Sequence, residues 1–162
     1  MGVGRMAVGG ELRRAKQTDV EAIRNLTRAA YAKWVPVIGR EPKPMGADYE
    51  SAVREHRIDL LYVDNVLAGL IETVDQKNQL LIENVAVSPD FQGRGLGSKL
   101  MAHAEDVATS LGYDRVWLYT NKRFTGNVAL YLKLGYRVDR EEDLGGGTIK
   151  VDMSKILGPR PR

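Results

Sequence analysis

Glu83–Leu111, ENVAVSPDFQGRGLGSKLMAHAEDVATSL, passes from strand-like to helix-like sequence through a glycine-rich turn, and the rest of the chain can be arranged around it. Leu80–Val87 is an apolar run with β-branched residues that ends at Ser88-Pro89, a turn signal, so it reads as a buried strand. Beyond Gln92-Gly93-Arg94-Gly95-Leu96-Gly97, the residues Leu96, Leu100, Met101, Ala104, Val107, Ala108 and Leu111 recur every three or four positions. That spacing describes one apolar stripe of an amphipathic helix, which Gly112 stops.

A strand that feeds a helix through three glycines makes a particular kind of site. The helix N-terminus carries unpaired N–H groups and partial positive charge, and glycines let an anion approach the backbone, so the expected ligand group is a phosphate or pyrophosphate. A dinucleotide fold requires Gly-x-Gly-x-x-Gly, but counting from Gly93 the sixth position is Ser98, and no acidic residue follows at the expected distance. The P-loop pattern Gly-x-x-x-x-Gly-Lys-Ser/Thr is absent as well. The spacing present is Gln-x-x-Gly-x-Gly, preceded by a strand and Val-x-Pro.

On these residues the chain resembles the GNAT N-acetyltransferase superfamily. Its signature Gln/Arg-x-x-Gly-x-Gly/Ala matches Gln92, Gly95 and Gly97, and a second hallmark matches Asn127, Tyr131, Gly135 and Tyr136. The resemblance covers roughly residues 11–155 and is strongest over Glu83–Tyr136.

The chain has 162 residues, 43% hydrophobic, with a formal net charge of +3. One domain, over 11–156, is expected at this length, with flexible ends at 1–10 and 157–162; a chain of this size buries roughly 70% of its unfolded surface. No cysteine is present. Disulfides, thiolate metal sites and cysteine nucleophiles are therefore excluded, and with two histidines no metal is expected. No apolar run approaches the length of a membrane span, and Met1–Gly10 lacks the apolar segment of a secretion signal, so a cytoplasmic protein with no membrane partner is expected. Although the pI is near 9.2, Lys and Arg are interleaved with Asp and Glu, which reads as a solvated mixed surface with no nucleic-acid partner.

Periodicity places the other elements. Glu11–Ala15 reads as a short strand, and Thr18-Asp19-Val20-Glu21 has a capping-box pattern in which Glu21 reaches back to the Thr18 amide. Ile23, Leu26, Ala30 and Trp34 give the first helix its stripe, ending near Val35-Pro36. Ile38–Ala47 is a Pro- and Gly-bearing loop, and Asp48–His56 a second short helix. Asp59–Val63 and Val66–Val74 form a hairpin through a primed turn at Asp64-Asn65. After the pivotal helix, Arg115–Thr120 reads as a strand, Arg123–Gly126 as a loop and Asn127–Leu134 as a helix; Arg137–Arg140 and Thr148–Met153 close the chain as a hairpin joined by Glu141–Gly147. The order β-α-α-β-β-β-α-β-α-β-β is that of the GNAT fold: an α/β (α+β) domain with a mixed, mainly antiparallel sheet of about seven strands flanked by about four helices.

The resemblance implies acetyl-CoA as cosubstrate, held where the strand before the glycine loop splays from its neighbour. It implies that Val85, Ala86 and Val87 offer backbone groups to the acetyl and pantetheine portions. Gln92, Gly93, Arg94, Gly95, Leu96, Gly97 and Ser98 would hold the pyrophosphate, chiefly through amides, while Asn127 and Tyr131 border the cofactor. The bland alternative is a tight turn that needs glycines only for packing.

Transfer to an amine requires a neutral nucleophile and a proton for the departing thiolate. Ordinary lysine-type amines titrate near ~10.4 and phenols near ~10, so a base is needed at neutral pH and a tyrosine can still donate. Tyr131 is the candidate acid, with an ordinary core aromatic as the alternative. Glu83, a carboxylate in a buried strand, is the candidate base or water-orienting group, and a structural hydrogen-bonding role is the alternative. Strand alternation puts it on the face of Val85 and Val87 unless a bulge intervenes. Glu72 is the reserve base; no catalytic role is expected for His56 or His103, and His103, at the rim of the stripe, reads as packing.

Tyr31, Trp34, Arg40, Pro42, Met45 and Tyr49 are expected around the acceptor, where aromatics and an arginine suit a molecule with an apolar part and an anionic group. The same residues serve equally as packing with a homodimer contact. The primary expectation is an enzyme that transfers acetyl directly from acetyl-CoA to a primary amine of a small molecule or peptide; the alternatives are a non-catalytic CoA-binding or regulatory module and a nucleic-acid binder.

Overall fold

An N-terminal edge strand, a three-stranded meander, a strand reached by a helical crossover and a C-terminal hairpin form one seven-stranded sheet in the computed structural model, which describes residues 10–158. The strands are β1 (Glu11–Arg14), β2 (Arg57–Val63), β3 (Val66–Asp75), β4 (Leu80–Val87), β5 (Arg115–Asn121), β6 (Arg137–Gly145) and β7 (Thr148–Ile156), in the spatial order β1-β2-β3-β4-β5-β7-β6. Only β4 and β5 pair in parallel. The principal helices are α1 (Val20–Tyr31), α2 (Tyr49–Glu55), α3 (Leu96–Ser110) and α4 (Thr125–Lys133). The expected flexible ends fall outside the described residues, apart from Gly10, Leu157 and Gly158; of these, the Leu157 amide is tied to the Asp114 carbonyl at 2.7 Å.

Two apolar layers sandwich the sheet. On one face Leu96, Leu100, Met101, Ala104 and Val107 of α3 pack against Ile71, Leu80, Ile82, Val116, Leu118, Val151 and Met153, with Tyr131 of α4 in the same cluster. On the other, Ile23, Leu26 and Ala30 of α1 and Tyr49 and Ala52 of α2 cover Ile58, Leu60, Leu70 and Ala86. Full burial of one such leucine, Leu100 for example, contributes on the order of 1.5–3 kcal/mol. The α3 stripe therefore packs as its spacing implied, apart from Leu111, which follows the last turn and is exposed.

One feature of the sheet prepares the site. β4 pairs with β5 only through Leu80–Val116, Leu81–Trp117 and Ile82–Leu118. Beyond that point β4 continues along β3 as far as Val87–Gly69, and β5 continues along β7 as far as Asn121–Lys150. The two strands part and leave a V-shaped opening between them.

Several local expectations are corrected. Asp19, not Thr18, leads into α1: its Oδ2 accepts from the Lys16 amide at 2.8 Å and it also binds the Arg13 guanidinium, so this carboxylate outcompetes the Thr18 hydroxyl, while Glu21 pairs with Arg24. α1 ends at Tyr31, earlier than the proline requires. Helical backbone resumes over Val35–Ile38 with Pro36 in its first turn, where the missing N–H costs nothing, and Gly39 ends it at φ 77°. Asp64 and Asn65 both take positive φ, as a primed turn demands. The last hairpin is longer than expected: Glu141–Gly145 belongs to β6, because two bulges let the charged strand follow β7 almost to its turn.

Candidate active site

The glycine loop is open. Gly93 and Gly95 adopt φ of 81° and 79°, and a Cβ built on either would meet no atom within 4 Å. Gly95 is the N-cap of α3, whose first backbone bond runs from the Lys99 amide to the Gly95 carbonyl. Among the described residues, no hydrogen bond takes up the amides of residues 93–98. Six donors at a helix N-terminus are thus unpaired, the arrangement that suits a diphosphate. The side chain of Gln92 fastens the loop: Nε2 donates to the Val87 carbonyl at 3.0 Å and Oε1 accepts from Lys33 at 3.3 Å. The Arg94 guanidinium lies over the Phe91 ring, 5.0 Å from its centroid.

From this loop a groove of about 430 Å³ runs along Val85–Val87 between α1 and α4. A second cavity, about 670 Å³, lies on the opposite side of the V. The two share Tyr31, Val85, Asn127 and Tyr131. A ligand threaded along the groove would meet one seated in the larger cavity at these four residues.

Tyr131 is 6% exposed, and its hydroxyl has no hydrogen-bond partner among the described residues. Burial raises its pKa far above the ordinary phenol range, so it stays protonated and available as a donor. Asn127 lies one turn earlier on the same helix face. Across the junction the Tyr31 hydroxyl donates to Asn84 Oδ1 at 2.8 Å, and Asn84 Nδ2 donates to the Tyr49 hydroxyl, which donates to the Pro44 carbonyl at 2.6 Å. Burial, followed by the nearby Tyr131 and Tyr49 hydroxyls, pushes Tyr31 well above its usual range. Burial likewise pushes Tyr49 up to about 12.

The larger cavity has an acidic floor. Glu72 is 4% exposed, and burial raises its pKa; the adjoining His56 opposes this rise and the Glu83 charge adds to it. His56 Nδ1 lies 2.6 Å from Glu72 Oε2. Glu83 Oε2 accepts from the Tyr119 hydroxyl at 2.9 Å. Over the outer side, Trp34 stacks on Phe124 with centroids 4.8 Å apart, and Arg40 donates to Thr148 at 2.7 Å, joining the proline-bearing loop to the final hairpin.

The sequence model of the acetyltransferase (GNAT) family matches residues 20–136. The chain belongs to that family. It is 34% identical over 76 residues to the ribosomal protein bS18-alanine N-acetyltransferase of Salmonella typhimurium, covering 47% of this chain and 51% of that one. It is 27% identical over 108 residues to the streptothricin acetyltransferase of Streptomyces lavendulae, covering 62% and 57%. The matches thus span only about half the length of these relatives. The PaiA N-acetyltransferase of Thermoplasma acidophilum, solved in complex with coenzyme A, superposes with a TM-score of 0.75 at 18% identity over 91% of this chain and 98% of that one, a likeness of fold.

Within this GNAT chain the expected site residues divide. Gly93, Gly95, Leu96, Gly97, Ser98, Val85, Ala86, Val87, Gln92, Asn127 and Tyr131 all line the groove. Tyr31, Arg40, Pro42 and Tyr49 line the larger cavity. Trp34 lines the groove, since the turn after α1 carries it to that side, and Met45 is buried without lining either cavity. Glu83 does not share the face of Val85 and Val87. Glu72 pairs with Asn84 and Thr73 with Ile82, so Glu83 is the extra residue of a bulge; Ile82, Val85 and Val87 pack toward α3, while Glu83 turns to Tyr119 on the opposite side. His56, given no catalytic role in the sequence reading, lies against Glu72 in the larger cavity, and Tyr119 was not singled out. Nothing local marks either one, because their partners come from other strands. Among the described residues no group of three or more His, Cys, Asp and Glu is placed to hold a metal, and no helix is long and apolar enough to cross a membrane.

Proposed function

We propose that this GNAT protein transfers the acetyl group of acetyl-CoA directly to a primary amine of a small molecule or peptide. The observation that carries the reading is the meeting of two cavities at Tyr31, Val85, Asn127 and Tyr131, where β4 and β5 have ceased to pair. One cavity offers free amides for a diphosphate, and the other offers carboxylates for an ammonium.

The loop amides of residues 93–98 bind the diphosphate, and Lys33 and Arg94 add charge at the groove. The pantetheine arm follows the edge of Val85–Val87 that β5 has vacated, which brings the thioester to the junction. The amine attacks the carbonyl carbon, the C–S bond breaks, and the departing sulfur takes the proton of the Tyr131 hydroxyl. Glu83, held by Tyr119, orients the acceptor or its water on the floor of the second cavity. Arg40 and Lys43, at the mouth of that cavity, suit an acceptor that carries an anionic group as well as its amine. The proposal extends to a single domain over 11–156 and to a cytoplasmic location, with which a cysteine-free chain is compatible.

Thiol release from acetyl-CoA over a panel of an alanyl peptide, a diamine, an aminoglycoside and free amino acids tests this. Turnover with at least one amine is expected. Binding of acetyl-CoA without release for any amine would instead favour a regulatory CoA-binding module.

A further inference from the structure

We propose that His56 takes the proton from the acceptor amine and that Glu72 is the residue that positions it; the assignment rests on the acetyl-transfer reading above. The two side chains meet across 2.6 Å between Nδ1 and Oε2. The Glu72 side chain is 5% exposed, and a carboxylate that deep requires a donor. Holding Nδ1–H against it fixes the ring, so that in the neutral imidazole the lone pair is on Nε2. No hydrogen bond occupies Nε2 among the described residues, and the half-buried ring lines the larger cavity together with Glu83, Tyr119 and Tyr131.

The alternatives are engaged elsewhere. His103 Nε2 is 2.9 Å from Asp59, and His103 lines neither cavity. Glu83 Oε2 is engaged by a hydrogen bond from the Tyr119 hydroxyl, which holds it in the orienting role given above. The charged groups on the wall that His56 shares are Asp48 and Glu55 from the α2 segment, Glu72 from β3, Glu83 from β4, Lys150 from β7, and Arg40 and Lys43 from the proline-bearing loop. Lys150 is paired with Asp152 at 3.3 Å, so the negative charges dominate near the floor. They attract an ammonium to the wall that carries His56.

The protons balance. A protonated acceptor gives one proton to His56 Nε2, and its nitrogen then forms the bond to the acetyl carbon. It loses a second proton as the C–S bond breaks. Tyr131 gives its own proton to the sulfur, the second amine proton passes through water to the Tyr131 oxygen, and the imidazolium releases the first to solvent, so one proton leaves per turnover.

The test is His56→Gln in the full chain, with the best amine of the panel. kcat/KM should fall by ~10²–10⁴-fold at neutral pH, the range of general-base contributions, while protection by acetyl-CoA against heating is unchanged. The deficit should shrink as pH rises toward and past the acceptor's own pKa, near ~10.4 for a lysine-type amine, where the neutral form needs no base. Glu72→Gln should give a smaller loss that Glu72→Asp partly restores, and His103→Asn should leave the pH profile unaltered. A second readout needs no acceptor: with only two histidines in the chain, ¹⁵N spectra should show the neutral His56 ring protonated at Nδ1, and Glu72→Gln should disturb that state. Wild-type-like turnover in His56→Gln, a deficit constant with pH, or a ring protonated at Nε2 overturns the assignment alone. No thiol release from the unsubstituted protein with any amine overturns the acetyl-transfer reading itself.

Discussion

The Tyr119 hydroxyl reaches Glu83 Oε2 across 2.9 Å, so a side-chain bond spans β4 and β5 just where their backbones stop pairing. Burial, reinforced by the Glu83 charge, raises the Tyr119 pKa far above the phenol range, which keeps the donor protonated throughout the working pH range. Removing the donor leaves a half-buried carboxylate short of a partner, a loss worth on the order of 1–3 kcal/mol. Tyr119→Phe should therefore lower kcat/KM for the acceptor by roughly tenfold or more while acetyl-CoA binding, measured calorimetrically, is retained. Equal loss of both affinities would show that the pair serves the V as a whole.

Tyr131→Phe removes one oxygen from the junction of the two cavities. Turnover should fall by ~10²–10⁴-fold with little change in acetyl-CoA affinity. Because burial raises the Tyr131 pKa, the protonated, active form persists as pH rises, and the unsubstituted protein should show no alkaline loss of kcat below ~10, the ordinary phenol value. An alkaline limb near neutrality that vanishes in Tyr131→Phe would contradict this picture.

Gly95→Val places a β-branched side chain at φ 79° and fills space in front of the loop amides. Left-handed backbone costs such a residue on the order of 1–3 kcal/mol. The variant should melt a few degrees lower and should no longer gain stability from CoA in a thermal shift assay. Continued protection by CoA would move the diphosphate site elsewhere.

Asp59 anchors a cluster on the α3 side, bonded to Arg57 at 2.8 Å and His103 at 2.9 Å. Burial pulls its pKa up, but the bonds from His103 and Arg57 outweigh burial and the net shift is downward. A carboxylate with a lowered folded pKa stabilises fully above its unfolded value, near ~3.9, and loses that contribution as pH falls through the lower folded value. Asp59→Asn should cost about 1–3 kcal/mol at pH 7 and flatten the acid side of the stability curve. Denaturant melts between pH 2 and 7 check both.

The parts of the site that lie close together in sequence were legible in it. Gly93, Gly95 and the α3 stripe announce a strand, an open turn and a helix because glycine conformation and helical period are local properties. Asn127 and Tyr131 follow for the same reason, being one turn apart. The Glu83 bulge was not legible: Ile82-Glu83-Asn84-Val85 reads as ordinary alternation, and only the register against Thr73 and Glu72 shows which residue is extra. His56 meets Glu72 because β2 and β3 bring residues 16 apart together, and no pattern around either residue encodes that contact. Trp34 lines the groove and not the larger cavity because the chain turns again after Tyr31 and carries its ring against Phe124, a bend that the helical spacing does not encode.

The most direct measurement of the central claim, that unpaired amides at the start of α3 grip the diphosphate of acetyl-CoA, is a titration of the ¹⁵N-labelled protein with CoA. The amide resonances of residues 93–98 should move first and furthest, followed by those of Val85–Val87. Saturable CoA binding that leaves the amides of 93–98 in place would contradict it.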